Sequence, residues 1–171
     1  MGCCTQFLEF CRRADLADCF ERTNTLHFIG PDGRRSDFSP NAWLPAPWHL
    51  LPAMLRWKLL SPGERCQILR TLFHLTRSDS EEETVAAWLR RRHASAAARE
   101  RFWSPILVSA LGETIEYASL AAARKVFREG FMASREAGDL LLPKMPLGEI
   151  FHDRLGRRLA GCGVQVHLNA P

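Results

Sequence analysis

The sequence predicts an α+β fold that is mostly helical, with one small β-hairpin near the start and one strand at the end. Three observations carry that prediction. Apolar residues recur at spacings of three and four through most of the chain. A single Asp32-Gly33 step separates two short strand-like runs. The final apolar residues, Val164, Val166 and Leu168, alternate with polar ones.

The first helix runs from Thr5 to Ala14, with Phe7, Leu8 and Cys11 on one side. Leu26 to Ile29 reads as a short strand, Asp32-Gly33 as the turn, and Arg34 to Phe38 as the returning strand. The stretch "SPNAWLPAPWHLLPAML" is broken by Pro40, Pro45, Pro47 and Pro52. It is expected to be a loop that enters a helix near Pro47, where proline suits a first turn. Pro52 would then kink that helix.

"SPGE", Ser61 to Glu64, has the pattern of a capping box. The helix it opens carries Ile68, Leu69, Leu72, Phe73 and Leu75. "RSDSEEE" reads as a polar linker whose acids suit a helix start, followed by Val85, Trp88 and Leu89 at helical spacing. Ser95 is a cap for the next helix. Pro105 predicts a break after Phe102-Trp103-Ser104, and Ser119 caps a helix that runs through Phe131. Leu147, Ile150, Phe151, Leu155 and Leu159 mark the last helix, stopped by Gly161 and Gly163. The lone strand that follows wants a partner sheet, and the chain opens almost directly in a helix. Both ends therefore read as cut from something larger.

Composition excludes several classes. At 171 residues, with 46% hydrophobic and 25% charged side chains, the chain is ordinary globular material. The net charge is +4, carried mostly by arginine, and the lysines are Lys58, Lys125 and Lys144. Arg90-Arg91-Arg92 is the densest basic run. It reads as a solvated helix face, with a weak pull toward an anionic membrane surface as the second reading. No nucleic-acid motif is visible, so no nucleic-acid partner is expected. The six cysteines make no C-x-x-C pair, so no zinc site and no metal are expected, and free thiols are favoured over disulfides. No apolar run is long enough to span a bilayer.

Familiar catalytic patterns are missing too: there is no G-x-G-x-x-G, P-loop, H-E-x-x-H or G-x-S-x-G. His27 and His74 read as structural histidines, and His152-Asp153 as neighbours that do not face each other on a helix. Cys3-Cys4 reads as a pair of small buried packing residues, with a redox pair as the alternative. Glu113 reads as an exposed turn acid rather than an acid beside a pocket. No catalytic residue is assigned. What stands out is an aromatic set interrupted by prolines: Trp43, Trp48, Trp57, Phe102, Trp103, Phe127 and Phe131. Core packing is one reading. The other is a concave apolar cavity between irregular helices, suited to a long apolar ligand.

The order of motifs carries a resemblance. "GCCTQFLEFCRRADL", "LHFIGPDGRR", "LPAPWHLLPAMLRWKLLSPGER", "WLRRRHASAAARERFWSPIL", "VFREGF" and "PKMPLG" follow one another along nearly the whole chain. Together they resemble the squalene-associated FAD-dependent desaturases, in the flavin amine oxidase and phytoene desaturase superfamily. The resemblance implies a substrate domain of a flavin amine oxidase-like fold. Residues 1–142 would be the mainly helical substrate-binding region. Residues 143–171 would be a helix and a strand returning to the FAD-domain sheet, with the N- and C-terminal FAD-binding segments missing. The implied activity is that of a hydroxysqualene dehydroxylase in squalene and hopanoid synthesis, with FAD as cofactor and NAD(P)H as reductant. The implied partner is a long isoprenoid, and the implied substrate-wall residues are Trp48, Phe102, Trp103, Leu107 and Phe131. The expected location is the cytoplasm, at the inner face of the membrane. Two alternatives stay open. One is a carotenoid-type desaturase or amine oxidase-like flavoenzyme. The other is a non-enzymatic module for apolar ligands, or an inactive truncated product.

Overall fold

The computed structural model describes residues 1–77 and 83–167. Among the described residues seven helices and four short strands follow one another, with 3-10 turns at Ala17–Cys19 and Trp48–Leu50. They are α1 Thr5–Arg13, β1 Phe20–Thr23, β2 Leu26–Ile29, β3 Arg35–Phe38, α2 Leu51–Arg56, α3 Pro62–Leu75 and α4 Val85–Arg91. Helix α5 spans 96–111, α6 spans 120–132, β4 is Leu140–Pro143 and α7 spans 149–161. The molecule is thus mostly helical α+β, with two small antiparallel sheets. It divides into two compact units: residues 24–138, and residues 1–23 together with the chain from 139 onward. Strand β1 pairs with β4, Phe20 opposite Pro143, which draws the first residues to the last part of the chain.

In the 24–138 unit the hairpin pairs Leu26 with Phe38 and Ile29 with Arg35. Its loop is Pro31-Asp32-Gly33, one residue longer than the Asp-Gly turn expected. The Gly33 N–H donates to the Gly30 carbonyl, and the Gly30 N–H to Arg34. Gly33 has φ +75°, a left-handed conformation that glycine adopts without strain. On one face His27, Asp37 and Arg35 hold each other, with His27 Nδ1 2.7 Å from Asp37. His27 is therefore a satisfied structural histidine.

Pro52 does not kink α2. It lies in the first turn, where its missing N–H costs nothing. The capping box at Ser61 is complete. The Ser61 N–H donates to Glu64 Oε2 at 2.8 Å and the Glu64 N–H to Ser61 Oγ at 3.3 Å. Ser95 and Ser119 cap α5 and α6 as expected, each accepting from the backbone three residues on. Thr84 does the same for α4. Glu81 and Glu82, and most of the "RSDSEEE" linker, lie outside the described residues.

The expected break at Pro105 is absent. Helix α5 is continuous: Ala96–Ala98 is α-helical, Arg99–Trp103 is a π-helical turn, and Ser104–Leu111 is α-helical again. A wider π turn relieves the clash between the proline ring and the preceding turn. A π turn also occupies Arg128–Met132 in α6, and that helix carries through Phe131. The core of this unit is aromatic. Trp57 meets Phe28, Phe38 and Phe102 at ring-centroid distances of 4.6, 5.5 and 5.5 Å, and Trp103 packs between Trp88 and Phe127.

The second unit has a small core of Cys11, Leu16, Cys19 and Ile150, with Phe7, Phe20 and Leu155 packed on it. Helix α1 closes with Asp15 at φ 61°, which lets the Leu16 N–H reach back to the Cys11 carbonyl at 2.8 Å. Helix α7 closes the same way at Gly163, with the Val164 N–H donating to Leu159 at 3.0 Å. This closure corrects the expected terminal strand. Residues 164–167 form none, since the Val164 N–H is used by the helix end and no described residue pairs with the segment. Leu168 lies outside the described residues. Cys3 and Cys4 are also corrected: they are not buried packing residues. Cys4 is the exposed N-cap of α1, and Cys3 is half-buried beside it. Burial, then the neighbouring Cys4, pushes the Cys3 thiol up, away from the reactive thiolate form. All six cysteines are free.

Candidate functional site

The 24–138 unit contains an apolar cavity of about 330 Å³. Each wall has a local cause. The hairpin sends Leu26, Phe28 and Phe38 to one side, because alternate strand residues share a face. Helix α2 supplies Leu51 and Met54, and Trp57 follows its end. Helix α3 supplies Leu69, Leu72 and Phe73, and its C-cap Thr76 continues the same face at spacings of three and four. The π turns of α5 and α6 carry Phe102 and Phe131, and the α-helical turn before the second carries Phe127, to the same space.

The lining is chemically uniform. Thr76 contributes its one aliphatic hydroxyl, and no lining side chain is charged. Even that hydroxyl is engaged, donating to the Phe73 carbonyl at 3.0 Å. Such a space binds by excluding water and offers little hydrogen-bond selection. Two lining aromatics are strongly exposed, Trp48 at 61% and Phe73 at 52%. They mark where the cavity meets solvent.

The sequence-predicted wall residues are divided by the structure. Trp48, Phe102 and Phe131 line the cavity. Trp103 and Leu107 do not: both are buried in the core, where the Trp103 ring packs on Phe102 and Phe127. The reason is helical phase. Phe102 and Trp103 are adjacent, so the turn that points one ring at the cavity points the other away. Trp43 is not in the lining either, being 91% exposed on a loop held by Asn41, whose side chain accepts from the Trp43 and Leu44 N–H groups. Sequence reasoning missed Met54, Phe73 and Met132 as lining residues. Phe73 was legible only as a helical apolar residue.

Other sequence candidates are not among the lining residues. Glu113 is exposed and accepts from the Thr114 N–H. His152 and Asp153 belong to the other unit. Among the described residues, no group of three or more His, Cys, Asp or Glu could hold a metal ion. Among them too, no helix is long and apolar enough to cross a membrane. FAD does not fit the cavity: its pyrophosphate needs counter-charge and several converging donors, and no lining side chain is charged. No step through a flavin is derived from these residues.

No family model matches the chain, and no curated protein matches it.

Proposed function

We propose that residues 24–138 bind a long apolar chain in this cavity, as the substrate-holding part of a flavin-dependent oxidoreductase acting on an isoprenoid. The observation that carries the reading is the uniformly apolar lining, open at Trp48 and Phe73. Burying hydrocarbon gives about 0.8 kcal/mol per CH₂, so a few isoprene units supply ample affinity without any polar contact. A volume near the lower end of ligand pockets, which span about 300–1,000 Å³, holds a segment of a C30 chain. The rest would extend past the exposed rings at the mouth.

The motif order supports the particular reaction: reductive removal of the hydroxyl from hydroxysqualene to give squalene. FAD, reduced by NAD(P)H, would supply the hydride chemistry. The residues described here would orient the chain and exclude water; the proton donor to the leaving hydroxyl is not among the cavity residues. A second reading shares the cavity, that of a non-enzymatic apolar-ligand module. It is favoured by the fact that every lining residue belongs to one compact unit.

The test is a fluorescence titration of the purified chain with hydroxysqualene, squalene and a short alkane, using the lining tryptophans Trp48 and Trp57 as reporters. Saturable binding of both C30 compounds, weakened about tenfold by Trp48→Ala, is the expected result. Absence of saturation, or an unchanged Trp48→Ala variant, would remove the cavity as the ligand site. Conversion of hydroxysqualene to squalene with FAD and NADPH separates the enzyme reading from the binding module. The chain purified alone is expected to carry no flavin absorbance.

A further inference from the structure

The basic run that the apolar-ligand reading leaves unused has a place in the fold. Helix α3 has two working faces. One lines the apolar cavity; the other, with Cys66, Arg70 and His74, lines a second cleft of about 540 Å³. The opposite wall is the end of α4: Arg91, Arg92 and His93. Gln67 joins the two walls. Its side-chain amide donates to the His93 carbonyl at 2.7 Å, and its oxygen accepts from the Ser95 N–H at 3.0 Å. His93 itself is left-handed, φ 54°, because it closes α4, with the Ala94 N–H donating to Leu89. The cleft is therefore a fixed junction and not a chance hollow.

Its charge is unbalanced. Arg91 is paired with Glu83. Arg70 and Arg92 have no carboxylate partner among the described residues, and Arg92 is held under the cleft by the Trp88 ring, 5.7 Å from its centroid. The Arg92 Nε is buried without a hydrogen-bond partner among the described residues. Glu64, the nearest acid on α3, is committed to Ser61 and Ser95. We infer that this cleft is a binding site for a phosphate or diphosphate group, held between Arg70 and Arg92 with His74 and His93 at its edge. Like charges brought to one cleft repel, and an oxyanion relieves that repulsion; guanidinium forks match phosphate geometry.

His74 reports on the site. Burial first, then Arg92, Arg70 and Arg77, holds its imidazole below the ordinary range. The groups facing it are these three arginines, the Glu83-paired Arg91 and His93. A bound phosphate would offset the positive field and move the His74 titration back up.

The experiment uses the full chain. Inorganic pyrophosphate is titrated by calorimetry, and the His74 ring is followed by NMR against pH with and without it. Binding to vesicles is measured in parallel, phosphatidylcholine alone and with one quarter phosphatidylglycerol. Saturable pyrophosphate binding, a raised His74 titration, and loss of affinity of about tenfold or more in Arg70→Glu and Arg92→Gln support a soluble phosphate ligand. Binding only to the anionic vesicles, lost in Arg70→Glu, supports the same site with a lipid phosphate as its source. Binding to neither probe, or equal binding by wild type and both variants, overturns the proposal. Arg70 is exposed, so Arg70→Glu keeps the test readable should Arg92→Gln disturb the end of α4. The cavity titration above is independent of either result.

Discussion

Residues 24–138 and the unit formed by 1–23 with 139–167 are built from different kinds of contact. The first is packed with aromatic rings: Trp57, Trp88, Trp103, Phe102 and Phe127 are all buried in one cluster. The second has a core of two thiols, a leucine and an isoleucine. Rigid, bulky rings do not interdigitate everywhere, and an apolar cavity remains among them. Small side chains close up on one another. The difference teaches that the cavity is a product of aromatic packing, and that the same rings carry both stability and the apolar lining.

That comparison can be broken most sharply at Trp57. Trp57→Ala removes the ring that meets Phe28, Phe38 and Phe102, and should cost about 3–5 kcal/mol in urea unfolding. Trp57→Phe should cost clearly less, because the Trp57 Nε1 has no hydrogen-bond partner among the described residues to lose. Equal losses in the two variants would show that ring size is not what matters there. In the smaller core, Leu16→Ala should cost about 2–3 kcal/mol. Hydrogen exchange should then quicken in β1 and β4 while β2 and β3 stay protected. Loss of protection in both sheets together would end the description as two units.

Smaller effects sharpen the picture. Ser61→Ala removes one bond of the capping box and should lower stability by about 1 kcal/mol, read as a shift in the urea midpoint without a change in slope. The smallest effect is electrostatic. Arg35 first, then His27, holds the exposed Asp37 carboxyl down at about 2. Its folded value lies below the unfolded one, so its contribution is present above the ordinary carboxylate range and is lost as pH falls through about 2. An NMR titration of Asp37 should show this, with Arg35→Gln moving the value back up. An unmoved titration would break the assignment of cause.

The sequence by itself determined the local features. The Ser61 box, the Ser95 and Ser119 caps, the hairpin around Gly33 and the stop at Gly163 follow from groups within a few residues of one another, where chain connectivity places donor beside acceptor. It also marked Trp43, Trp48, Trp57, Phe102, Trp103, Phe127 and Phe131 as an aromatic set interrupted by prolines, and all of these but Trp43 and Trp103 line the cavity. Only the tertiary structure decided the rest. Whether Phe102 or Trp103 faces the cavity depends on helical phase through a π turn, which proline spacing suggests as a break. The β1–β4 pairing joins residues at opposite ends of the chain, and four-residue strands such as "FERT" and "LLLP" carry too little periodicity to announce a partner so far away. The facing of Arg70 and Arg92 across one cleft is likewise a product of two helices meeting. Contacts between distant residues are selected by packing the whole chain at once, and no short window of sequence contains that information.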